Sequence, residues 1–303
     1  MVGPRGPRAV AAALARRLAT QARERALHAL GRPSVRPFGP ADPERRARTA
    51  AKPLPDRTYV ILFTPRSGST RLGEILGQSG LSHPREVFNP RFVPGLARKV
   101  GAHDLASYAD LIRRDRAQRG VMGLEATWWH VRRLFVTPRR FADLVRPDAW
   151  LWLVREDLAL QAVSLARLLQ TGQGHDQSDL SPDRRQEAEA AFAYDAAQVA
   201  ACARRLARME RDSEDLLAAL GARPLRLSYE RLLALGPEAT ARLIAAHVGA
   251  APDPAATLAL THRKLGGDKN AAFAARFRAD HPGLLRRLER ARLPTLRALE
   301  RAP

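Results

Sequence analysis

Twelve consecutive residues, Tyr59-Val60-Ile61-Leu62-Phe63-Thr64-Pro65-Arg66-Ser67-Gly68-Ser69-Thr70, constrain this chain more than any others. Residues 59–63 are an apolar run of strand length, rich in β-branched and aromatic side chains. Pro65 breaks the run. A small hydroxyl-rich turn follows, and Leu72, Ile75 and Leu76 then recur at helical spacing. This order predicts a strand, a tight turn and a helix N-terminus. The first N–H groups of a helix have no internal partner, and the helix dipole makes that end positive. Pro65, Arg66, Ser67, Gly68, Ser69 and Thr70 would then make a cradle for a phosphate or sulfate. An ordinary Ser-rich helix cap would read in the same way.

The nucleoside-triphosphate loop has the pattern G-x-x-x-x-G-K-[ST]. Here Gly68 and Thr70 are kept, the first Gly is missing, and Ser69 stands where the Lys belongs. A γ-phosphate would lose its main counter-charge, so the loop suits a less charged anion. Arg66 can supply one cation. The same replacement counts against a small-molecule kinase.

Further strands are expected at 120–124, 149–154 and 224–230, the second of them continuously apolar as a central parallel strand should be. Helical patterns occupy 104–118, 160–168, 182–220 and 237–249, and two basic helices close the chain. Strands alternating with helices predict an α/β fold with a parallel sheet. The chain is long enough for one large domain or two small ones, and its 45% hydrophobic content can fill a core. No apolar run reaches membrane-spanning length. The single cysteine, Cys202, excludes an intramolecular disulfide and fits a reducing, cytoplasmic setting.

Residues 1–57 read as a basic, Pro-rich extension ahead of a domain at 58–303. They hold 13 Arg and Lys against 4 Asp and Glu, within a chain of net charge +20. Val10, Leu14 and Leu18 suggest an amphipathic basic helix, and the prolines from Pro33 to Pro55 an extended linker. Such a tail could touch an anionic membrane surface or nucleic acid. A binder of that kind is the non-enzymatic alternative. It leaves the anion loop without a role, and no nucleic-acid module is recognisable.

Three segments, in order, carry a resemblance. They are Pro65-Arg66-Ser67-Gly68-Ser69-Thr70, His83-Pro84-Arg85-Glu86-Val87-Phe88, and Arg155-Glu156-Asp157 followed by Gln161-Ala162-Val163-Ser164-Leu165 and Gln170-Thr171-Gly172. Over roughly residues 58–280 the chain resembles the sulfotransferases, most closely the bacterial trehalose 2-sulfotransferase-like family. The resemblance implies a P-loop-like α/β fold. It also implies transfer of a sulfuryl group from 3′-phosphoadenosine 5′-phosphosulfate (PAPS) to a hydroxyl of a small molecule, such as a carbohydrate or glycolipid. In the family the anion loop holds the phosphosulfate, which falls on residues 65–70. An Arg and a Ser hold the 3′-phosphate, which falls on Arg155 and Ser164. A basic residue of a late loop falls on Lys269, and the general base falls on Glu86. No metal is expected, and some family members are homodimers. His83 and His130 are rivals for the base, and Glu86 could instead pair with Arg85 or Arg91 on the surface. Family members commonly carry Lys after Gly-Leu in the second strand, whereas here Glu125 follows Gly123-Leu124. That carboxylate would repel a sulfate, so Glu125 should either point away or act on the acceptor.

Overall fold

The computed structural model describes residues 38–40, 42–172, 190–260 and 267–300. The amphipathic pattern at Val10–Leu18 lies outside them, as do residues 173–189 and 261–266. Four strands form one all-parallel sheet in the order β2-β1-β3-β4: β1 Arg57–Phe63, β2 Val121–Ala126, β3 Ala149–Val154 and β4 Leu225–Ser228. This is the α/β parallel sheet that the strand–helix alternation predicts. From β1 the chain crosses to β2 on one side, then back past β1 to β3 on the other. Strand order therefore reverses at the C-terminal end of β1, where ligands bind in open parallel sheets.

Alternation along the strands gives the sheet two apolar faces. Val60, Leu62, Met122, Leu124 and Trp152 enter one core with Phe88, Tyr108, Phe135 and Phe141. Tyr59, Ile61, Phe63, Leu151 and Leu153 enter the other, with Leu72, Leu76, Ile244 and Val248. One-residue alternation to opposite faces is the strand period itself. Each full strand is shielded on both sides, which explains its continuous hydrophobicity.

The prolines before β1 do not make an unbroken linker. Pro43–Ala50 is a helix, α1, with Pro43 in its first turn and Asp42 capping it through the Arg45 amide at 3.0 Å. Proline at that position is compatible with a helix because its missing N–H would have no helical partner. Arg114, on the later helix Leu105–Arg116, donates to the carbonyls of Ala50 and Lys52, so this segment docks on the domain.

After β1 come α2 (Ser69–Gln78), α3 (Val93–Val100) and α4 (Leu105–Arg116). Between β2 and β3 lie α5 (Trp128–Phe135) and α6 (Pro138–Val145), both missed by the sequence reading. Each starts at a Thr whose hydroxyl caps the helix: Thr127 for α5 and Thr137 for α6. β2 runs past the expected end because Glu125 and Ala126 still pair with Ile61 and Leu62. α7 (Leu158–Thr171) follows β3, then α8 (Ala196–Ala219). The expected helix at 237–249 is the second part of α9 (Tyr229–Val248), which breaks at Gly236 (φ 75°) before Pro237. α10 (Asp268–Asp280) and α11 (Pro282–Glu300) complete the chain and pack with α7 and α8 in a third apolar cluster.

α11 reaches back to the sheet edge. Arg292 is buried, pairs with buried Glu210 of α8, and donates to the carbonyls of Arg155 and Glu156. The turn after β3 is thus held from behind.

Candidate active site

The β1–α2 turn folds as the composition of residues 64–70 requires. Arg66 and Gly68 both have left-handed backbones, with φ of 67° and 91°. At Gly68 a side chain is also excluded by space, because a Cβ would run into the Tyr229 ring. The glycine is needed for packing against α9 as well as for the turn. Gln161 of α7 ties the turn down from below, donating to Thr64 Oγ1 at 3.0 Å and to the Pro65 carbonyl at 2.8 Å.

Gly68 is the N-cap of α2 and supplies no side-chain cap. α2 also has no acidic residue in its first turn. Among the described residues, then, the plain Ser-rich cap is not what forms. The Ser67 hydroxyl is fully buried there and makes no hydrogen bond among the described residues. A buried unpaired hydroxyl is costly, and an anion in the turn would satisfy it.

Arg155 leaves the end of β3 and meets this turn. Its guanidinium lies over the Tyr229 ring at 4.9 Å and 3.5 Å from the Arg66 carbonyl. Arg66 Nε in turn donates to Ser164 Oγ at 2.9 Å. Arg66 thus converges with Arg155 and Ser164, which lie 89 and 98 residues further along the chain. The crowding is electrostatically unfavourable, and Arg66 falls to about 10, through burial first and then through Arg155 and Arg167. A bound anion would relieve that repulsion. Glu230 fixes the neighbouring backbone, accepting from the amides of Glu156 and Asp157.

Glu86 faces the same cleft. Its Oε2 accepts from Asn89 Nδ2 at 2.7 Å and lies 3.5 Å from His130 Nε2, rather than pairing with Arg85 or Arg91. His130 Nδ1 accepts the Thr127 amide at 3.2 Å as part of the α5 cap. The ring proton of neutral His130 therefore sits on Nε2, toward Glu86. Burial, then Arg133, lowers His130 to about 4, which makes it a weak base. His83 lines a different cavity and packs beside Gly77.

The cleft has a volume of about 510 Å³ and takes in residues 65, 66 and 68–70, Arg155, Ser164, Glu86 and His130. Trp129, Arg205 and Met209 close its far wall. Trp128 packs against the sheet core, while Trp129 is 37% exposed, with Arg133 over its ring at 4.9 Å. Arg205 and Met209 come from α8, about 80 residues beyond β2, and no local pattern marks them. The Glu86-x-x-Asn89 spacing was a readable signal, since a turn joins Asn89 N to the Glu86 carbonyl. Lys269 does not itself line the cleft. Gly267, Asn270 and Ala271 line the cleft beside it, while its ammonium lies 5.8 Å from the Phe192 ring and 5.9 Å from that of Phe273.

Among the described residues no His, Cys, Asp and Glu cluster has the makings of a metal site. No described helix is long and apolar enough to cross a membrane. A family model described as Stf0 sulphotransferase matches residues 58–280. No curated protein matches the chain.

Proposed function

As the chain belongs to the Stf0 sulphotransferases, we propose that it uses PAPS to sulfate a hydroxyl of a small carbohydrate or glycolipid acceptor. The observation that carries this reading is the joint placement of Arg66, Arg155 and Ser164 beside a helix N-terminus that Gly68 leaves without a side-chain cap, with Glu86 in the same cleft. The donor, when bound, supplies an activated sulfuryl group. Ser67, Ser69, Thr70 and the first amides of α2 are suited to hold the phosphosulfate. Arg155, Arg66 and Ser164 are suited to the 3′-phosphate, since a guanidinium can grip a phosphate through two parallel hydrogen bonds. Lys269 is kept in the proposed donor set as a cation at the rim.

Glu86 takes the acceptor proton as the hydroxyl oxygen bonds to sulfur and the S–O bond to the 5′-phosphate breaks. The released electron pair stays on that phosphate. Fixed donors around the moving group do most of the work in such transfers.

The test is a pair of ligands that differ by one group. Arg155→Ala should weaken adenosine 3′,5′-bisphosphate by about 10–100-fold, the loss of a charge-assisted contact of roughly 1.5–3 kcal/mol. Adenosine 5′-phosphosulfate, which lacks the 3′-phosphate, should be little affected. Equal losses by calorimetry would make Arg155 a structural residue.

A further inference from the structure

A second cavity, of about 830 Å³ and open to solvent, lies along α2 at Thr70, Gly73 and Glu74. It shares Thr70 and Glu86 with the donor cleft, so the two meet at the proposed base. Glu125 lines only the second. It stands next to last in β2, paired in register with Ile61, and is 7% exposed. Among the described residues its carboxyl has no hydrogen-bond or ion-pair partner. Gly73 of α2 makes room for it: a Cβ there would come within 3.3 Å of Glu125 Oε1. The segment that carries Glu86 is fastened to the same strand, because the Glu125 amide donates to the Arg85 carbonyl at 2.9 Å.

Its carboxyl oxygens are not sealed in the core but reach the cavity, so a ligand there can supply the hydrogen bonds that the described residues do not. The groups that act on its charge are Glu86 and Arg85 on the adjoining segment and Tyr59 on β1, and Glu74, His83, Arg98 and Arg116 also line the cavity. Arg91 and half-exposed Phe92 line the same cavity, with Pro84 and Pro94 adding apolar surface. Carboxyl and guanidinium groups set among flat apolar surfaces suit a ring that carries hydroxyls on its edge and C–H groups on its faces.

We propose that this second cavity seats the acceptor, a polyhydroxylated ring, with Glu125 as the residue that selects it by hydrogen-bonding a hydroxyl next to the one that reacts. The proposal rests on the sulfotransferase reading of the donor cleft. Glu125 meets neither donor nor sulfuryl group; it sets which hydroxyl lies against Glu86. A carboxyl turned away from the anion loop also resolves its presence in a sulfate-handling enzyme. Near neutrality burial, then Glu86, holds its proton on, to a pKa of about 8, so the group can donate as well as accept.

The full chain is tested with labelled PAPS and three probes: α,α-trehalose, glucose and 4-nitrophenol. Wild type should sulfate a sugar in preference to the phenol. Glu125→Ala should raise the sugar KM at least tenfold, with adenosine 3′,5′-bisphosphate affinity within about twofold of wild type. Glu125→Gln, which keeps a donor and an acceptor, should restore most of the loss. As a check that does not depend on how the Ala variant folds, Phe92→Cys can be capped with a bulky maleimide, Cys202 being buried. The cap should abolish sugar turnover and spare bisphosphate binding. Sulfation of the phenol alone or of no probe, or unchanged sugar kinetics in both Glu125→Ala and the capped protein, overturns the proposal. Failure of wild type to bind the bisphosphate would instead overturn the donor reading.

Discussion

Replacing Glu86 by glutamine is expected to lower kcat by about 10²–10⁴-fold, the usual share of a general base. The variant should keep its shape. Oε2 of Glu86 is occupied by Asn89 Nδ2 at 2.7 Å and faces His130 Nε2, whereas Oε1 has no hydrogen bond among the described residues. A glutamine can present its carbonyl oxygen to Asn89 and leave its amide where Oε1 stood. It then still meets the acceptor hydroxyl but cannot take the proton. Donor affinity should be unchanged, because Arg66, Arg155 and Ser164 are untouched. A folded Glu86→Gln enzyme that turns over normally would remove Glu86 from the mechanism. His130 would be a poor successor, since its Nδ1 is engaged and its Nε2 carries the proton.

The second large effect is on stability against pH. Burial, followed by Glu86, raises Glu125 from 4.5 to about 8, with Arg85 pulling the other way. In the unfolded chain this group loses its proton near 4.5. Between there and pH 8 the folded state binds more protons, so stability falls as pH rises. His130 acts in the opposite sense. Burial lowers it from 6.5 to about 4, so the unfolded state binds its proton first as pH drops, and stability rises with pH from 4 to 6.5. The two slopes oppose each other below pH 6.5, and above it only Glu125 remains. Wild type should therefore lose stability from pH 6.5 to 8, at about 1.4 kcal/mol per unit. Glu125→Gln should remove that slope and uncover the His130 slope at lower pH. Thermal melts across pH 4.5–8.5 decide it: parallel profiles for the two proteins would mean that Glu125 is ionised in the fold.

How far the sequence could be read depends on the range of the interactions concerned. The βα unit at residues 59–78 was legible because strand, turn and helix are contiguous, and each leaves a local mark. The same holds for β3 and the Arg155 turn. α1 was taken for linker because its prolines outweighed the Asp42-Pro43 start signal. α5 and α6 were missed because each has only 8 residues, too short for a periodic stripe to emerge. The meeting of Arg66 with Ser164 was not expected: 98 residues separate them, and the family resemblance grouped Ser164 with Arg155 instead. The Tyr229 ring against Gly68, the Arg292 brace and the α8 wall of the cleft leave no local signal at all. Glu125 could be flagged as a misfit, but only the shape of the cavity shows which way it faces.

Each cavity has its own lining, and among the described residues the two share Thr70 and Glu86 alone. On the proposed assignment neither substrate must precede its partner, so addition should be random. Initial-velocity lines should intersect, and the bisphosphate product should compete with the donor while inhibiting noncompetitively against the acceptor. A narrow tunnel shared by both would impose an obligatory order, which this two-sided approach to one helix end does not require.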